Sequence, residues 1–299
     1  HTKMYVVSAH GETELGQNMS QLVEKSNIQV ETFDVISATE VPADCNILFI
    51  NGPTTDITDS ELAMYKAYLE NGGGAVFAAA YTDQPMPNYT SLLEYYGVQI
   101  TGSVVLETDG QYIQGYPTYL VNAFESVTDD ISSEFSMNDM IIVPIAQGLK
   151  VLDSADLRST LTVSTIVQSS ADSYAKIKPE DTIEKEEGDL EGPFATVVQA
   201  SDTYKDKTSK VAIYASPYIF ADDWINYFTC KNSDLFLDTL DWMRSEEVNS
   251  IAVPQRNLNQ VFLCIFDSLA DGIRNFACFS NSKQTERKTG VQLRNFHVI

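Results

Sequence analysis

Three short apolar runs dictate most of what this chain can fold into. Met4–Val7, Asn46–Ile50 and Ala75–Ala80 are apolar almost throughout, without the polar residue at every second position that a half-exposed strand carries. Strands of that kind are buried on both faces, as in a parallel sheet covered by helices. Segments with helical spacing separate them. Thr13–Lys25 sets Leu15, Met19, Leu22 and Val23 on one face. The next helix, capped by Asp59 or Ser60, turns Leu62, Tyr65, Ala67 and Leu69 inward. Val30–Val35 alternates like a strand, and Thr90–Tyr96 reads as a short helix ended by Gly97. Asn71-Gly72-Gly73-Gly74 stops a helix and leads into a strand, so it offers no helix-terminal amides to a phosphate. The predicted fold class is α/β, a mostly parallel sheet with helices on both faces.

The middle of the chain departs from this alternation. Gly102–Tyr112, Thr118–Glu125, Met140–Ile145 and Leu161–Ser169 read as strands with few helices between them, which adds a β-rich segment over about 102–200. Residues 178–193 hold seven acids and no aromatic, and read as a solvated loop without the spacing of an EF-hand. The body closes with a strand ending at Ser216-Pro217 and a helix over 232–243 capped by Asn232 or Ser233. The expected division is an α/β domain over 1–254 and a tail of atypical composition over 255–299, in which Phe262–Ile273 has the pattern of a short amphipathic helix.

Charge narrows the partners. The net charge is -23, which repels phosphate backbones and excludes nucleic acid as a ligand. It is unevenly spread: the tail carries +3 and residues 1–254 carry -26. The four cysteines form no C-x-x-C pair, and Cys45 reads as buried filler. No run of about 18 apolar residues spans a membrane. The chain opens on His rather than Met, which reads as a processed or engineered fragment, itself soluble.

Ligands in open α/β sheets bind beyond the carboxyl ends of the strands. Four such ends carry polar turns: Ala9-His10-Gly11-Glu12, Asn51-Gly52-Pro53-Thr54, Tyr81-Thr82-Asp83 and Ser216-Pro217. The candidate ligand rim is therefore His10, Glu12, Thr54, Asp56, Tyr81 and Ser216. A hydrolase reading would use His10 and Glu12, but the elbow after Ala75–Ala80 offers Ala79, Ala80 and Tyr81, with no Cys or Ser. His10, Glu12 and Asp56 include metal-ligating types, yet their spacing requires no metal. The plainer account makes Gly11 a corner and Glu12 or Thr13 the start of a helix, where negative charge is favoured. A carbohydrate-binding reading draws on fifteen Tyr and two Trp, although Tyr65, Tyr68, Tyr95 and Tyr96 read as helix packing. The sequence assigns no catalytic residue, no metal site and no cofactor.

Four stretches in order, YVVSAHGE (5–12), NILFINGP (46–53) with LENGGGAVFAAA (69–80), LLEYYGVQI (92–100) and NSDLFLDTLDWM (232–243), carry a resemblance. Together they resemble the extracytoplasmic domain of gliding-motility-type (GldG-like) auxiliary components of ABC transporters. That family is similar to the intraflagellar-transport domain and to class I glutamine amidotransferases. The resemblance covers roughly residues 3–254. It implies a flavodoxin/amidotransferase-like fold without the amidotransferase nucleophile. It also implies a non-enzymatic domain outside the cytoplasm, anchored to the cell membrane in the parent protein. The implied partners are the membrane-embedded and ATP-binding subunits of the transporter, with a small-molecule ligand unspecified. After SIAVPQRNL (250–258) the family would run into a membrane helix, whereas here Asp267, Asp271 and Arg274 interrupt the apolar sequence.

Overall fold

The computed structural model describes residues 1–244, apart from 109, 155, 180, 228 and 229, together with 262–264 and 278–280. The chain opens as β1 (Thr2–Ser8), α1 (Gln17–Lys25), β2 (Ile28–Asp34), β3 (Ile47–Asn51), α2 (Asp59–Glu70), β4 (Gly74–Ala78) and α3 (Pro87–Tyr95). Strands then dominate: β5 (Val98–Leu106), β6 (Tyr112–Ile113), β7 (Tyr116–Phe124), β8 (Met140–Pro144) and β9 (Gln147–Val151). They continue with β10 (Leu161–Gln168), β11 (Tyr174–Lys176), β12 (Leu190–Glu191), β13 (Ala195–Tyr204) and β14 (Lys207–Tyr214). Two 3-10 turns, Pro217–Phe220 and Asp222–Trp224, precede α4 (Asn232–Met243).

Two units divide the chain, His1–Ser250 and Ile251–Ile299. In the second, β15 (Phe262–Cys264) pairs antiparallel with β16 (Cys278–Ser280). The amphipathic helix expected from Phe262 is thus a strand over its first three residues, and the rest of that segment lies outside the described residues.

In the first unit β2, β1, β3, β4 and β14 lie side by side and all parallel. Counted along the chain, that order is 2-1-3-4-5, the flavodoxin-like arrangement. Every residue of β3 and β4 is buried, as unbroken apolar runs require. At β14 the sheet changes character. β13 pairs with it antiparallel from Val197↔Tyr214 to Tyr204↔Lys207, and β9, β5, β11 and β12 extend the sheet outward from β13. The β-rich middle is therefore an antiparallel continuation of the parallel sheet.

The core on one face centres on Phe220. Its ring lies 5.1 Å from Phe49, 4.6 Å from Phe236 and 4.8 Å from Tyr214. A buried aromatic cluster of this kind adds packing between edges and faces to the hydrophobic gain.

Helix starts differ from the sequence expectation in instructive ways. The first helix begins at Gln17, not at Glu12 or Thr13, and its own cap position, Gly16, has no side chain to offer. Asp222 supplies the acceptors instead, taking the Asn18 and Met19 N–H groups at 3.1 and 2.9 Å. For α2 the cap is Thr58 rather than Asp59 or Ser60, in a reciprocal capping box with Glu61. Asn232 does not cap α4. Its amide accepts the Ile142 N–H at 2.9 Å and donates to the Ile142 and Ile219 carbonyls at 2.8 and 3.1 Å. It pairs with the β8 backbone as a neighbouring strand would.

The acidic stretch expected to be a solvated loop is organised around one cation. The buried Lys176 Nζ lies 2.8 Å from the Glu184 carbonyl, 2.9 Å from Glu186 and 2.8 Å from Asp189. Cys45 is half-buried, with Sγ 3.5 Å from the Tyr68 hydroxyl, and burial pushes its thiol up to about 11.

Candidate functional site

The loops after β1 and β3 leave the sheet at the point where the strand order reverses, which is where open α/β sheets hold their ligands. They are stitched together by backbone. His10 O accepts the Thr54 and Thr55 N–H groups at 2.9 and 3.1 Å. Asn51 O accepts the Thr13 N–H at 2.8 Å, and Asn51 Nδ2 donates to Thr13 O at 2.8 Å. Gly11 is required twice over. Its φ is +76°, and a Cβ there would stand 2.3 Å from Thr54 Oγ1.

Within the turn, Glu12 Oε2 accepts the Ala9 and His10 N–H groups at 3.0 and 2.7 Å. Successive backbone N–H groups of this kind make a small anion-binding concavity, and here the chain's own carboxylate fills it. Ala9 is held at φ +151°, a conformation uncommon outside glycine. The His10 side chain points the other way. Its Nε2 lies 3.0 Å from Glu61 Oε2, an ion-pair distance without the alignment of a hydrogen bond.

Beneath the turn polar atoms are buried without hydrogen-bond partners: Glu12 Oε1, Asn51 Oδ1 and the Tyr65 hydroxyl. Burial, reinforced by the Glu61 and Glu12 charges, pushes the Tyr65 hydroxyl far above its ordinary range. Burial likewise raises Tyr89, with Glu12 and Tyr65 adding to it. Desolvation also acts to raise Glu61, but the Thr58 hydrogen bonds and the His10 imidazole beside it outweigh it and hold the carboxyl below its usual range. The group is electrostatically linked and buried. It lacks an attacking atom: among the described residues no Ser, Thr or Cys side chain bonds the His10 imidazole, and Thr54 Oγ1 reaches only the His10 and Gly11 carbonyls, each at 3.5 Å.

The rim residues read from the sequence fall into two groups. His10, Glu12 and Thr54 come together at the switch point. Asp56, Tyr81 and Ser216 serve structural joints around it. Both Asp56 oxygens cap α3, accepting the Asn88 and Tyr89 N–H groups at 2.9 Å each. Tyr81 donates its hydroxyl to Ile177 O at 2.7 Å. The fully buried Ser216 donates to Pro144 O and accepts the Tyr218 N–H at 3.1 Å. Glu61 and Tyr65 were not among the sequence candidates. The T-x-x-E spacing at 58–61 is the signal that locates Glu61.

A cavity of about 260 Å³ opens beside the switch point, with Pro53, Ala79, Ala80, Thr82, Tyr89 and Gln147 in its wall. A larger one, about 490 Å³, lies at the amino ends of β3 and β4 beside Cys45, Tyr68 and Met243. The smaller is the better candidate, since it lies at the carboxyl ends of the strands. Among the described residues no group of three or more His, Cys, Asp and Glu side chains is placed to hold a metal ion. No described helix is long and apolar enough to cross a membrane.

A family model described as an ABC-type uncharacterized transport system matches residues 1–118, so the resemblance read from the sequence holds over that segment. No curated protein matches the chain. Among solved structures, the mmIFT52 N-terminal domain is 16% identical with a TM-score of 0.61, over 84% of this chain and 100% of that one. PurLQS from Thermotoga maritima is 11% identical with a TM-score of 0.47, over 81% of this chain and 99% of that one. A Thermoplasma acidophilum protein described as a component of GMP synthase is 8% identical with a TM-score of 0.45, over 82% of this chain and 96% of that one. At these identities the likeness concerns the fold alone. The α/β class with a mostly parallel core agrees with the sequence reading.

Proposed function

We propose that this chain is the non-catalytic extracytoplasmic domain of an ABC-transporter-associated membrane protein, acting in partner or substrate binding through its strand-end rim. The match of residues 1–118 to the transport-system family supports a transporter-associated role. One structural observation carries the non-catalytic part. The rim's histidine is turned onto Glu61, the elbow beyond β4 is Ala79-Ala80-Tyr81, and among the described residues no Ser, Thr or Cys side chain bonds the His10 imidazole as an activated nucleophile would. The partners in this reading are the membrane-embedded and ATP-binding subunits, on whose ATP hydrolysis the domain itself makes no chemical demand.

The test is co-purification of the full parent protein with the transporter subunits encoded beside it, followed by measurement of ATP hydrolysis. Association, with ATPase activity that changes when this domain is deleted, supports the reading. Turnover of a hydrolase substrate by this domain alone, lost in His10→Ala, overturns it.

A further inference from the structure

We propose that the cavity at the carboxyl end of β4 binds a neutral, polyhydroxylated small molecule of monosaccharide size. The proposal deepens the binding role above and rests on it. Its lining includes Thr82, Thr90, Thr101, Gln84 and Gln147, with no carboxylate, lysine, arginine or histidine among the described residues. The Thr101 hydroxyl donates to Gly148 O at 3.0 Å and Gln84 Nε2 to Asp83 at 3.0 Å, so each keeps only its remaining hydrogen-bonding capacity for a ligand. In a chain of net charge -23, a rim cavity whose described lining holds no carboxylate and no cationic side chain selects by hydrogen bonds rather than by charge.

Gln147 is the built element. It is only 3% exposed, and its Oε1 is fixed by the Ser103 N–H at 2.9 Å. That bond orients the amide, so that Nε2 reaches the Ala80 carbonyl at a long 3.4 Å and retains a second hydrogen to give. Hydroxyls and amides both donate and accept, and sugar hydroxyls do the same. Met86 and Ile100 add apolar wall, against which the C–H face of a ring can lie. At Gly102, with φ +68°, no atom lies within 4 Å of where a Cβ would stand, which leaves that side open. The volume of about 260 Å³ lies just below the roughly 300–1,000 Å³ of drug-sized ligand sites, which suits one sugar ring rather than a chain of them.

Anions are disfavoured by the neighbouring turn. Its Ala9 and His10 N–H groups are already taken by Glu12, whose negative charge is felt at Tyr89 in the cavity wall.

The experiment is titration of the purified full chain, followed by ligand-observed NMR and calorimetry. The neutral panel is glucose, galactose, N-acetylglucosamine and myo-inositol; glucuronate and glucose 6-phosphate are the charged counterparts. A single site for at least one neutral member, with glucuronate and glucose 6-phosphate each about tenfold weaker than that member or more, is the expected result. Gln84→Ala and Thr90→Val each remove one hydrogen-bonding group at the cavity and should weaken binding about three- to tenfold, with unfolding temperatures unchanged. The proposal falls if no neutral member binds at millimolar concentration, if the charged counterparts bind equally well, or if both variants bind as the wild type does. Its failure leaves association with the transporter subunits intact, whereas failure of the transporter reading shows in the co-purification.

Discussion

His10 Nε2 stands 3.0 Å from Glu61 Oε2, and the same Glu61 oxygen accepts the Thr58 N–H at 2.7 Å. A local device for starting a helix therefore also holds the turn that follows β1. The rim's geometry is set by α2 as much as by the strands whose ends compose it.

Acid should loosen this junction. The folded-state value of Glu61 lies below its ordinary 4.5, so its contribution is fully present above that pH and is lost as pH falls through the lower folded value. Glu61→Gln should therefore be less stable than wild type at neutral pH, by roughly 1–3 kcal/mol. The gap should narrow progressively below pH 4.5. Urea denaturation across the acid range measures it, and a gap independent of pH would refute the coupling.

Removing the cap hydroxyl isolates the helical part of the same junction. Thr58→Ala should cost about 1 kcal/mol. Thr58→Ser, which keeps the acceptor, should cost less in the same denaturation series.

Gly16 and Asp222 should behave as one unit. Asp222→Ala removes the acceptors for two N–H groups of α1 and should cost about 1 kcal/mol. A Cβ on Gly16 would lie 2.2 Å from Asp222 Oδ1. Gly16→Ala should accordingly destabilise the wild type more than it destabilises the Asp222→Ala protein. A double-mutant cycle measures the difference, and strict additivity would show that the cap is not formed in solution.

Glu107 gives the opposite pH dependence. It is buried, and desolvation raises it above its ordinary 4.5, although hydrogen bonds from Ser170 and Asn122 partly oppose this. Its protonated form thus favours the fold, and stability declines as pH rises from 4.5 through the raised value. Glu107→Gln keeps the shape without the charge and should gain on the wild type across that window, then run parallel to it above. Thermal melts of the two proteins at stepped pH would show the crossing.

Asn232→Ala should be costly for a purely structural reason. It leaves the Ile142 N–H and two carbonyls without their amide partner in the interior, a loss of roughly 2–4 kcal/mol. Asn232→Ser should recover little, because a hydroxyl cannot span both groups of one backbone residue.

How far the sequence could be read follows from distance along the chain. The runs Asn46–Ile50 and Ala75–Ala80 declare buried strands locally, being apolar almost throughout, and the strands form over Ile47–Asn51 and Gly74–Ala78. The turn at Ala9–Glu12 was legible as a corner on the rim for the same reason. Asp222 was not legible as the cap of α1, because it stands 204 residues from Asn18 and no local pattern records it. Asn232 has the residue type of a helix cap, but tertiary contact with β8 claims its amide first. Glu61 was legible in principle through its spacing from Thr58, yet its contact with His10 depends on the β1 and β3 loops being neighbours. The cavity polar groups come from Thr82, Thr101 and Gln147, on three separated segments, and only the completed sheet gathers them.

β14 lies between β4, which it joins in parallel, and β13, which it joins antiparallel. It is also among the last strands of its unit to be made. A ribosome must therefore release almost the whole unit before its two halves acquire their common seam. Until then β4 offers an unzipped flank to any other extended polypeptide nearby, so a nascent chain of this design gains from synthesis beside a chaperone or translocation channel that shields that flank until the closing strand arrives.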